Sequence, residues 1–197
     1  AAPDVRQDHR QRQAVAAAVR TCVPGLAVQA MPATELSGFG LADDMSDTLI
    51  IAISQSGTTT DTNRTVDLAR TRGAHVVAVV NRRNSDLAAK SHGVLHTSDG
   101  RDVEMSVAST KAFYSQVAAG WLIAAGLASV VGGSAPASEL DTYLRALRDL
   151  PQAMEKVLGR REEIGRIAAA VAPPRRYWAV VGSGPDHVAA SEVRIKL

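Results

Sequence analysis

Cysteine is nearly missing from this chain: Cys22 is the only one among 197 residues. An internal disulfide is therefore impossible, and no C-x-x-C pair offers a zinc site. A reducing compartment, the cytoplasm, is the expected setting. Charge of one sign is also lacking. The formal net charge is +2, and Arg6, Arg10, Arg12, Arg64, Arg70, Arg72, Arg82 and Arg83 are interspersed with acids rather than gathered with aromatics, so no nucleic-acid partner is expected. The longest apolar run, residues 117–131, falls short of the roughly 18 to 20 residues that cross a bilayer; it reads as a buried or interface helix, and no membrane partner is expected. Residues 1–10 are polar, with no signal-peptide core. Nucleotide loops are missing as well. There is no G-x-x-x-x-G-K-[ST], and Gly182-Ser183-Gly184 lacks the third glycine of a dinucleotide fingerprint, so no cofactor is expected. His75, His92, His96 and His187 form no metal-ligand spacing and His9 sits in a polar stretch, so no metal is expected either.

Aromatic residues make up 4% of the chain and hydrophobic residues 46%. Alanine and valine dominate, a balance that suits helices packed on a small-residue parallel sheet rather than a β-sandwich. The pattern along the chain agrees. Residues 11–21 carry Val15, Ala18 and Val19 at helical spacing. A short strand is expected at 26–30, then Thr34 as N-cap of a short helix reaching Ser37. Residues 49–53, Leu-Ile-Ile-Ala-Ile, are the apolar run of a strand covered on both faces. A polar turn at 54–60 leads to a helix over 61–72, with Gly73 as C-cap. Residues 75–80 form a second buried strand, 85–91 a short helix, 94–97 a third strand, and 109–131 one long helix ended by Gly132-Gly133. Two helices, 139–150 and 152–172, are expected on either side of Pro151. A strand at 177–181 and a helix from Asp186 close the chain. Repeated strand, helix, strand units wind right-handed into a parallel sheet, so the expected fold is α/β, a doubly wound parallel sheet flanked by helices in a three-layer sandwich of flavodoxin type.

Ligands of open parallel sheets bind beyond the carboxyl ends of the strands. Ser54-Gln55-Ser56-Gly57-Thr58-Thr59-Thr60 lies there, between the strongest strand and a helix. Its hydroxyls, together with the unpaired N–H groups of a helix start, could converge on an anion. The competing reading is a helix cap plus a glycine turn; capping takes one or two such residues, not five. Asp61 in the first turn would repel an anion unless it points away. Val107-Ala108-Ser109-Thr110-Lys111, taken alone, reads as an ordinary helix entry.

Taken together, SQSGTTTDT at 54–62 and VASTKAF at 107–113, about fifty residues apart, resemble the isomerase half of the glutamine-fructose-6-phosphate aminotransferase family, a sugar isomerase domain. The resemblance extends over most of the chain. It implies that Ser54, Gln55, Ser56, Gly57 and Thr59 hold the phosphate of a hexose 6-phosphate, fructose 6-phosphate or glucosamine 6-phosphate, with Val107 and Ser109 on the sugar's hydroxyl side. It also places Glu192 and Lys196 on the family's E-x-x-x-K helix near the isomerisation site, with the main catalytic glutamate past Leu197. The implied organisation is a first sugar isomerase domain at 1–135, a helical connection at 136–175, and the start of a second such domain at 176–197. Three features depart from the family: no first strand with a cysteine-glycine-threonine-serine loop precedes Gln11, Thr58 stands for the usual glutamate, and Ser106 for a glycine. The expected function is sugar-phosphate binding within an isomerising aminotransferase. A sensor that binds without turnover and a phosphosugar deaminase or deglycase are the alternatives. A homodimer is expected, because the apolar 117–131 helix exceeds what a four- or five-stranded sheet needs to cover.

Overall fold

The computed structural model of the chain describes residues 8–99, 110–131 and 137–196. Its elements are helix α1 (Asp8–Cys22), a single turn α2 (Ala33–Glu35) running into a π-helical turn (Leu36–Gly40), strand β1 (Leu49–Ser54), α3 (Thr60–Arg70), β2 (His75–Val80), α4 (Asp86–Lys90), β3 (Gly93–His96), α5 (Thr110–Val131), α6 (Ala137–Leu158), α7 (Arg161–Val171) and α8 (Asp186–Lys196). The three strands form one parallel sheet in the order β1-β2-β3. Leu49 lies opposite His75 and Val77 opposite Gly93.

Alternation along β1 separates the layers. Ala52 and Ile50 pack with Val66, Val76, Ala78 and Leu87, so α3 and α4 cover one face. Ile51 packs with Ala18, Val19, Cys22, Ala124 and Ala128, so α1 and α5 cover the other. Strands buried on both sides need unbroken apolar runs, which is why the alternation of a one-sided strand is missing here. Small residues bring α1 and α5 close together: a methyl on Gly120 would strike Val15 Cγ2 and lie 3.1 Å from Val15 Cβ. Helix α3 ends as its sequence predicts. Gly73 adopts φ 93° just beyond the last turn, the left-handed conformation that glycine takes at little steric cost, and its N–H donates to Arg70 O at 3.0 Å.

Several expectations are corrected. Residues 26–30 and 177–181 are not strands. A strand exists only through the ladder of a neighbour, and here Val28 O accepts from Arg20 Nη2 instead, while Tyr177 and Val181 stand exposed. Thr34 lies inside the short turn, with Pro32 in the cap position. Pro151 does not divide two helices but sits inside α6. The segment around it is exposed, so water can serve the carbonyl that the missing N–H leaves free, and the break falls at Gly159 instead. The apolar run at 117–131 belongs to a longer helix. Residues 111–131 have the length and composition to cross a bilayer, yet their small-residue face is packed on α1.

Candidate functional site

Strand β1 delivers Ser54 to the carboxyl edge of the sheet, and α3 starts six residues later. Between them the chain reverses through Gly57, with φ 65°. Ser54 is buried, and its Oγ accepts the Gly57 N–H at 3.0 Å, closing the turn. Space demands glycine here as much as φ does: a methyl would fall on Ser85 Oγ and lie 2.6 Å from Ser85 Cβ and 2.8 Å from Val80 Cγ2.

The loop is fastened from below and from the side. Gln55 O accepts from the N–H groups of Asn81 and Arg82 at 3.1 and 3.2 Å, and Gly57 O accepts from Leu87 N–H at 3.1 Å. Asn63, nine-tenths buried on α3, donates its Nδ2 to Gly57 O and to Thr59 O, each at 3.0 Å. Arg82 and Arg83 follow β2 at the same edge and are exposed, which puts positive charge beside the loop.

The hydroxyls divide by task. Ser54 holds the turn, while Ser56 Oγ accepts from Thr58 Oγ1 at 3.0 Å and Thr58 N–H at 3.3 Å. Thr59 occupies the N-cap position of α3 with extended backbone, yet its side chain makes no cap hydrogen bond. The first-turn N–H groups of α3 are therefore not met by the cap hydroxyl, contrary to the reading of the loop as an ordinary cap. Asp61 is exposed at the same turn. Such an arrangement of backbone N–H groups, hydroxyls and a helix start can take an anion.

The chain brings Ser54, Gln55, Ser56, Gly57 and Thr59 together in this one loop. Val107 and Ser109 lie outside the described residues. Glu192 and Lys196 sit on α8, which packs on α1. Glu192 is buried, with Oε2 3.1 Å from Arg10 Nη1 and Oε1 3.3 Å from Lys196 Nζ. The second contact is close enough for an ion pair but is not aligned as a hydrogen bond, and no hydrogen-bond partner reaches that oxygen. Arg10 is itself 3% exposed, so the pair spans 182 residues of chain in the interior. Among the described residues no group of three or more metal-ligating side chains occurs. Between α1 and α5, burial pushes the Cys22 thiol pKa up.

Sequence reasoning missed Asn63, Arg10 and Ser85. Asn63 carries a faint signal, since asparagine is a poor residue inside a helix. Arg10 carries none locally.

Fold and loop together define a parallel α/β domain with a braced, hydroxyl-rich loop between β1 and α3 at the carboxyl edge of its sheet. Comparison with known proteins narrows the class. The family model described as "SIS domain" matches residues 25–126. The chain is 36% identical over 163 residues to a glutamine-fructose-6-phosphate aminotransferase (isomerizing) of Streptomyces coelicolor, covering 82% of this chain and 26% of that protein. Among solved structures, the C-terminal domain of glucosamine-fructose-6-phosphate aminotransferase from Francisella tularensis superposes with TM-score 0.82 at 22% identity, over 94% of this chain and 51% of that one. Glucosamine-6-phosphate deaminase from Thermotoga maritima superposes with TM-score 0.56 at 19% identity, over 73% and 41%. The chain belongs to the SIS domain family. It spans about a quarter of the length of the Streptomyces relative.

Proposed function

We propose that this chain binds a hexose 6-phosphate through the loop at 54–60, as the sugar-phosphate-binding part of an isomerising aminotransferase that converts fructose 6-phosphate to glucosamine 6-phosphate. The carrying observation is Thr59, which holds the N-cap position of α3 without capping it. A phosphate dianion there would take the first-turn N–H groups and the Thr59 and Ser56 hydroxyls, and would gain from the positive end of the α3 dipole. Binding energy from the phosphate then positions the reacting carbons.

Isomerisation between C1 and C2 of an open-chain sugar needs a carboxylate that can take up and release a proton. Glu192 lies 3.1 Å from Arg10 Nη1 through one oxygen and 3.3 Å from Lys196 Nζ through the other. Its proposed role is to orient Lys196. The identity with aminotransferases of this name supports the reaction class.

Titration calorimetry tests the reading. Glucosamine 6-phosphate and fructose 6-phosphate are expected to bind, glucosamine is not, and Ser56→Ala is expected to weaken the phosphate-dependent signal by about three- to tenfold, the worth of one hydroxyl contact. Equal binding of glucosamine and its phosphate would refute it.

A further inference from the structure

A loop that receives an anion has a problem built into its backbone: each peptide that offers an N–H also carries a carbonyl oxygen, and an oxygen turned toward a phosphate repels it. In the loop at 54–60 the two carbonyls that flank Thr58 are fully occupied. Gly57 O accepts from Leu87 N–H at 3.1 Å and from Asn63 Nδ2 at 3.0 Å. Thr59 O accepts from Asn63 N–H at 3.0 Å and from Asn63 Nδ2 at 3.0 Å. A carbonyl oxygen has two lone pairs, so neither has one left over. One side-chain nitrogen thus completes both.

Asn63 is an unfavourable choice for stability alone. It occupies the first turns of α3, where asparagine is a weak helix former, and its Oδ1 is buried without a partner. An aliphatic side chain would avoid the stranded acceptor.

We propose that Asn63 is a positioning residue for the anion site: its amide holds the carbonyls of Gly57 and Thr59 back against α3, so that the loop presents N–H and hydroxyl groups to the ligand. The inference rests on the proposed phosphate-binding role of this loop. Because the subsite it shapes is the one that takes the phosphate, its loss affects inorganic phosphate and sugar phosphate alike.

The test compares this chain with its Asn63→Leu and Asn63→Asp variants, titrated with inorganic phosphate and with glucosamine 6-phosphate, alongside thermal unfolding and amide NMR of residues 57–61. Asn63→Leu is expected to unfold cooperatively as the parent does while losing about tenfold or more in affinity for both ligands, and the phosphate-induced shifts of the loop amides should shrink with it. Asn63→Asp is nearly isosteric and its carboxylate accepts rather than donates, so it carries the test if Asn63→Leu does not fold; it should lose at least as much. A purely structural residue would lower the unfolding temperature and leave the affinity of the folded fraction unchanged. Affinity within twofold of the parent in a folded variant overturns the proposal. Failure of the parent to bind either ligand overturns it together with the function on which it rests.

Discussion

Replacing Gly57 by alanine should cost this protein both stability and ligand, and the two costs can be separated. The added Cβ faces two penalties. At φ 65° an L-residue pays about 1–2 kcal/mol for the left-handed conformation. The methyl also falls on the Ser85 hydroxyl and lies 2.6 Å from Ser85 Cβ, and forcing an extra carbon into a packed site costs about 1–3 kcal/mol. Gly184 supplies the control. It has φ 55° and nothing within 4 Å of the place a Cβ would take, so Gly184→Ala should cost only the conformational part. Chemical denaturation of both variants should therefore give a loss of about 2–5 kcal/mol for Gly57→Ala against about 1–2 kcal/mol for Gly184→Ala. For a chain of this size each kilocalorie moves the unfolding midpoint by about 2–4 °C. Because Ser54 Oγ and Leu87 N–H both hold Gly57, the strain must displace the loop, and phosphate binding should fall with it. Equal costs for the two variants would show that the contact with Ser85 is not tight, and the account of the loop as a fixed body would fail.

Two further perturbations probe the remainder of the chain. Removing one partner from the buried pair of α1 and α8, as in Arg10→Gln, takes the cation from one oxygen of a carboxylate that is 6% exposed and leaves Lys196 at the other, so it should cost up to about 3 kcal/mol, the low end for breaking a buried pair; the double variant Arg10→Met/Glu192→Leu should recover a large part, and a denaturant series in which the single variant loses less than the double would refute this. The Cys22 thiol is held above its ordinary pKa by burial, while the unfolded chain ionises it near 8.5. Its contribution is thus intact below that pH and is lost as pH rises past it, because only the unfolded state gives up the proton. Between about pH 8 and 10 the stability of the parent should fall more steeply than that of Cys22→Ala, and matching slopes would contradict it.

What could be read from the sequence follows from how local each cause is. β2 was visible because His75-Val-Val-Ala-Val-Val is buried on both faces and needs no partner to look like a strand; the structure gives it residue for residue. The run at 177–181 has similar composition, but pairing is decided elsewhere in the chain, and Tyr177 and Val181 remain 81% and 87% exposed. Pro151 misled for the opposite reason: a strong local rule yields where the surface can solvate the broken bond. The junction at 54–60 was legible as strand, turn and helix. Its bracing was not, since Asn63 acts through carbonyls four and six positions back and Ser85 acts by contact with a glycine on another loop. Arg10 finds Glu192 at a separation of 182 residues, a pairing no window of sequence contains.

Surface segments that join a strand to a helix usually drift in length between relatives. The one after β2 is not at liberty to do so. Asn81 and Arg82 are tied to Gln55, and Ser85 fills the space that Gly57 leaves open. An insertion there would be transmitted to the other loop as a shift of its backbone. Residues 81–85 therefore act as a template against which the neighbouring turn is cast, and a change of ligand could enter this fold through a segment that need not touch the ligand at all.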